Sequence, residues 1–136
     1  MSDLNHPAVQ ANIQSTELAQ AGDKHAWLAL YANDALLKDP VGVSPLEPTG
    51  EGHNGKIAIE NFWDTVIAPA NITLNVKQRI ISGPHNCAVL QEVINDIGHG
   101  KTTTVDMIAT YAVNDDGLIT EMCAYWNFDA LMAQMS

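Results

Sequence analysis

The hydrophobic positions change rhythm once along the chain. Before about residue 70 they recur at helical spacing, and after it they alternate. Val9, Ile13 and Leu18, with the alanines between them, form one apolar stripe that ends at Ala21-Gly22-Asp23. With Pro7 at its start, this predicts a first helix. Asp23 caps a second helix expected over residues 24–32, with Trp27, Leu28, Leu30 and Tyr31 on its buried side. Asn33-Asp34 breaks that pattern, and Ala35-Leu36-Leu37 reads as a short strand stopped at Lys38-Asp39-Pro40-Val41-Gly42. Residues 43–55, rich in proline, glycine and glutamate, form a loop long enough to wall a site. A third helix is expected over 56–68, with Ile57, Phe62, Trp63 and Val66 on its apolar side and Pro69 ending it.

The second half reads as strands. Residues 71–82 set Ile72, Leu74 and Val76 against Thr73, Asn75 and Lys77, and Gly83-Pro84-His85-Asn86 turns the chain. A strand over 87–96 follows, turned by Gly98-His99-Gly100. Residues 102–114 place Val105, Met107, Ala109, Tyr111 and Val113 on one face. Asn114-Asp115-Asp116-Gly117 is a hairpin signal, 118–126 the last strand, and 128–135 a short terminal helix. Helices gathered ahead of a strand meander predict an α+β fold in one domain, 1–136. Its helices pack on a curved, mainly antiparallel sheet and close a cone around an apolar pocket.

Composition narrows the function classes. A net charge of −10, with six Lys plus Arg, would repel phosphate backbones and anionic surfaces, which excludes nucleic-acid and membrane partners. The start of the chain lacks a basic segment followed by an apolar one, and no apolar run is long enough to span a bilayer, so a cytoplasmic protein is expected. Cys87 and Cys123 lie far apart in apolar contexts and read as free thiols. His6, His25, His53, His85 and His99 are scattered without a second ligand at metal spacing. No glycine-rich phosphate loop or nucleophile elbow occurs, so neither metal nor cofactor is expected.

Proton transfer remains. Asp39 stands where an apolar strand gives way to the loop, and a partly desolvated carboxylate there suits a general base. An ordinary strand end with a polar turn is the alternative. Tyr31, Tyr111, Tyr125 and His53 are the accompanying proton donors or acceptors. Asp106 alternates against Val105 and Met107 and so faces away from the apolar stripe.

Several stretches resemble bacterial ketosteroid isomerases of the NTF2-like or SnoaL-like superfamily. They are Ala21-Gly22-Asp23, Leu30 to Ala35 running into Asp39-Pro40-Val41-Gly42, Gly55 to Trp63, and Asp116-Gly117 through Met122 to Ala124-Tyr125-Trp126. The resemblance implies the cone fold, a homodimer packed through the sheet, and a hydrophobic small-molecule ligand. It makes Asp39 the base that moves a proton between two carbons of a steroid or similar polycyclic ketone. Tyr31 becomes a support behind the oxyanion hole, and Phe62, Trp63, Met122 and Trp126 become pocket lining. Val105 and Met107 are expected to join that lining. The family's two oxyanion donors, a tyrosine and an aspartate, fall on Ser15 and Ala109, so Tyr111, His53 or Ser15 is expected to supply the replacement. Alternatives on the same scaffold are a SnoaL-like cyclase, a hydratase or dehydratase, and a binding or dimerisation module without turnover.

Overall fold

The computed structural model describes residues 2–136. A 3₁₀ turn, Ser2–Asn5, leads into helix α1, Pro7–Ala21. His6 caps it by accepting from the Ala8 N–H through Nδ1, and Gly22 closes it in the left-handed region at φ 72°. The buried side of α1 carries Ala8, Val9, Ala11, Asn12, Ser15 and Thr16, small enough to let it lie close over the sheet. Asp23 caps α2, Lys24–Leu28, through the Ala26 N–H.

The second helix is shorter than its pattern implies, and Tyr31, which the helical spacing placed on it, opens strand β1, Tyr31–Lys38. The cause is a distant partner. The Ile119 N–H donates to the Leu30 carbonyl at 2.8 Å, and Tyr31 pairs with Ile119, so the backbone at 30–31 is already committed to the sheet. Asn33-Asp34 marks an irregularity rather than a break, because the register of β1 shifts between Tyr31 and Leu36.

Within 43–55 lies a two-residue strand, β2 (His53–Asn54), antiparallel to β1. It reaches β1 closely only because residue 52 is glycine. A Cβ there would stand 2.7 Å from Lys38 Cγ and 3.1 Å from the Leu37 carbonyl, at φ +90°. Helix α3, Lys56–Phe62, continues as a π-helical turn, Trp63–Ile67. Ile57 is 87% exposed, contrary to the helical reading. Ile59, Phe62 and Trp63 bury the face instead, and the π turn begins at Trp63.

Strands β3 (Ile72–Ser82), β4 (Asn86–Gly98), β5 (Lys101–Val113) and β6 (Ile119–Tyr125) form the antiparallel meander, and α4, Phe128–Met135, ends the chain. The sheet order is β2-β1-β6-β5-β4-β3, curved and unclosed, with β1 and β6 parallel and every other pair antiparallel. Its inner face is laid out in rows. Cys87, Tyr111, Met122 and Leu37 are cross-strand neighbours, then Val89, Ala109 and Ala124, then Gln91 and Met107. Burying these rows under α1, α3 and the π turn makes the core. The outer face carries another row, Leu90, Ile108 and Tyr125, which is exposed, as is Asp106. Helix α4 is clamped to β5 by Gln134, whose amide bonds both the N–H and the C=O of Thr104 at 2.7 Å. Among the described residues no helix is long and apolar enough to cross a membrane.

Candidate active site

Between α1, the π turn, α4 and the inner face lies a cavity of about 190 Å³. Its wall is mostly apolar, with Phe62 from α3, Val105 and Met107 from β5, and Met122 from β6. Its polar groups are few: Asp39, Ser15, Tyr31, Tyr111, the Trp126 indole, and Gln91, with Thr16 and Asn95 further along.

Asp39 reaches this wall because of how two strands end. β1 and β6 run parallel, so they leave the sheet at the same end, and the residues just beyond them lie side by side. The Val41 N–H donates to the Ala124 carbonyl at 2.9 Å, fixing the segment after Asp39 against β6. The Trp126 Nε1–H then donates to Asp39 Oδ1 at 2.6 Å across 87 residues of sequence. The Asp39–Pro40 peptide is cis. Loss of water around the half-buried carboxyl raises its pKa from 3.8 to about 6, and the indole bond pulls the other way. A carboxylate so placed is still ionised at neutral pH and is a stronger base than an exposed one.

Tyr31 and Tyr111 stand in the same wall, with 1% and 2% of their surface exposed. Burial holds the Tyr31 phenol well above the ordinary range, and the Tyr111 and Asp39 charges act in the same direction. Burial likewise raises Tyr111. Both therefore remain protonated donors. The Tyr31 hydroxyl has no hydrogen-bond partner of its own. Ser15 accepts from the Trp27 Nε1–H at 3.2 Å and lies beside both phenols. Asn12, wholly buried, is oriented by Arg79, whose Nε donates to Asn12 Oδ1 at 2.9 Å. This turns Asn12 Nδ2 inward, although that nitrogen makes no formed bond.

Three expected site residues lie elsewhere. His53 packs its ring on Phe62 with centroids 5.1 Å apart, one layer behind the wall. Burial lowers its pKa below 6.5, and its Nε2 has no partner. Trp63 stacks on Trp27 at 5.1 Å and faces a second, more polar recess beside the end of α1. Ala109 is fully buried in the sheet between Val89 and Ala124, and its methyl does not reach the cavity. The sequence reading passed over Gln91 and Trp27, both in the wall. Gln91 had a signal: on its strand it shares a face with Cys87, Val89 and Val93, a polar residue flanked on that face by apolar ones.

Helices on one face of a curved, unclosed mixed sheet, with an apolar cavity between them, define the class: an NTF2-like α+β domain. The chain belongs to the SnoaL-like family within that fold, whose domain profile matches residues 14–122. It is 32% identical over 105 residues to the steroid Δ-isomerase of Nocardioides simplex, covering 77% of each chain. The solved Δ5-3-ketosteroid isomerase from Mycobacterium sp. is similar at 36% identity and a TM-score of 0.85, over 92% of this chain and 96% of that one. RV0760c from Mycobacterium tuberculosis, solved in complex with estradiol-17β-hemisuccinate, is similar at 38% identity and a TM-score of 0.85, over 92% and 97%.

Proposed function

We propose that this protein is an isomerase that moves a proton alpha to the carbonyl of a steroid or similar polycyclic ketone. The observation that carries the reading is Asp39, a carboxylate with a pKa near 6 facing an apolar cavity beside two buried phenols. A ketone with its carbonyl at the phenols puts an adjacent C–H within reach of the carboxylate. Asp39 takes that proton, the electron pair moves onto the carbonyl oxygen as an enolate, and the same carboxyl returns the proton to the far carbon of the conjugated system. No electrons or groups are gained or lost, so no cofactor is required.

The enolate needs donors in place before it forms. Ala109 offers none. Tyr111 is the donor assigned to the oxygen, with Tyr31 and Ser15 beside it. The ligand bound to RV0760c and the names of the two isomerase relatives favour a steroid-like substrate. His53 and Trp63 take no part in this reading.

The test is conversion of a β,γ-unsaturated ketosteroid to its conjugated isomer, followed by ultraviolet absorbance. Asp39→Asn should lower kcat by at least a thousandfold while the steroid still binds. Retention of the wild-type rate would exclude Asp39 as the base.

We also infer a homodimer through the outer sheet face. Leu90, Ile108 and Tyr125 lie in one cross-strand row there, 40%, 49% and 55% exposed, and apolar rows of this kind are normally covered.

A further inference from the structure

Four buried side-chain polar atoms among the described residues lack a partner: Asn12 Nδ2, Tyr31 Oη, His53 Nε2 and Gln91 Oε1. Only Tyr31 and Gln91 belong to the cavity wall. The Tyr31 hydroxyl is accounted for by the enolate chemistry. Gln91 is not.

Gln91 is 3% exposed and has apolar neighbours: Val89 and Val93 along its strand, Val76 and Met107 across from it. Its Nε2–H donates to Met107 Sδ at 3.3 Å, a weak acceptor, which directs the carbonyl oxygen away from Met107 and leaves it unsatisfied. A leucine or methionine would fill the position without stranding a polar atom, so the fold gains nothing from the amide. A buried acceptor at a cavity wall has its natural partner in a ligand.

Its place on the sheet says which part of the ligand. Gln91 is opposite Met107, and Cys87 is opposite Tyr111, so the amide row and the phenol row are four residues apart on one face. At the rise of an antiparallel strand this is about 13 Å between backbone positions. A molecule touching both rows must be extended, with a hydrogen-bond acceptor at one end and a donor well separated from it.

We propose that Gln91 is a substrate-recognition residue and that the cavity selects hydroxylated polycyclic ketones. The carbonyl is held at Tyr111, with Tyr31 beside it, and a hydroxyl remote from it donates to Gln91 Oε1. This rests on the ketone-binding reading of the same cavity and adds the second polar contact.

The test compares two probes, dihydrotestosterone, a saturated tetracyclic ketone with one hydroxyl at the opposite end, and the same ketone without that hydroxyl. Binding to the full chain is measured by calorimetry and by quenching of the wall tryptophans Trp27 and Trp126. The wild type should prefer the hydroxylated probe by about tenfold, the worth of one hydrogen bond to a buried unpaired acceptor. Gln91→Leu and Gln91→Met should bring the ratio of the two affinities to about one, and thermal melting of each variant establishes that it is folded. Equal affinities in the wild type, or an unchanged preference in a folded variant, overturn the role of Gln91 and leave the ketone reading standing. Binding of neither probe overturns the ketone reading itself, and the Gln91 assignment with it.

Discussion

Burying the Asp39 carboxylate should cost the fold stability, and Asp39→Asn measures that cost. Burial raises the Asp39 pKa from 3.8 to about 6, so the folded state binds its proton more tightly than the unfolded chain does. Between those two values the native state carries the extra proton, and stability falls as pH rises through the window. Above it the carboxylate is ionised in both states and the full penalty applies. At about 1.4 kcal/mol per pKa unit, the penalty is up to about 3 kcal/mol. Asparagine mimics the protonated acid, and its Oδ1 can still accept from the Trp126 indole.

The variant should therefore be more stable than the wild type at pH 8 by up to about 3 kcal/mol, with the gap closing toward pH 4. Unfolding entropy near 2 cal/mol/K per residue gives a chain of 136 residues about 0.3 kcal/mol/K, so the pH 8 gap corresponds to a Tm difference of about 10 °C. Urea or thermal unfolding of both proteins across that pH range is the assay, and the change in the gap with pH is the readout, because it cancels any fixed packing difference. A gap independent of pH, or one that widens toward acid, would refute a destabilised Asp39 carboxylate.

The indole bond opposes the burial effect, so Trp126→Phe should push the Asp39 pKa higher still and move the acidic limb of the kcat/KM–pH profile upward from about pH 6. A limb that stays in place would mean the bond does not tune the base. Tyr111→Phe should lower kcat by about a hundredfold, the usual loss for one oxyanion donor, with KM little changed; a pure KM effect would remove Tyr111 from the enolate. Tyr31→Phe should lower kcat less and leave the Tm the same or higher, since it deletes a buried hydroxyl without a partner. Ile108→Asp, at the centre of the exposed outer row, should convert a dimer to monomers in sedimentation; a wild type already monomeric at micromolar concentration would overturn the interface.

The strands were legible because alternation is a local property. Val105, Met107, Ala109, Tyr111 and Val113 share the inward face, and the glycine-ended turn at 114–117 closes as its residues imply, with Asn114 Oδ1 accepting from the Asp116 and Leu118 N–H groups. What the sequence concealed was non-local. Tyr31 fits a helical stripe with Trp27 and Leu28, and only the pairing to Ile119, far along the chain, makes it a strand residue. Trp63 is buried as its helical spacing implies, but it packs on Trp27 and not on the cavity, and periodicity does not say which neighbour a buried ring meets. At the site, Asp39 was legible from the abrupt end of its strand. Its indole partner was not, since nothing local links Asp39 to Trp126. Gln91 could have been read from alternation, but a lone glutamine in a strand looks like a solvent-facing residue until the curvature of the sheet is known.

The parallel pairing of β1 with β6 has a consequence in time. During synthesis the strand that ends at Asp39 is complete long before its neighbour, which lies 87 residues on at Trp126. Until β6 inserts between β1 and β5, the only other strand β1 can pair with is the two-residue β2. Asp39 is thus among the last residues of the molecule to reach its folded environment. The Trp126–Asp39 hydrogen bond therefore reports that the whole sheet has closed.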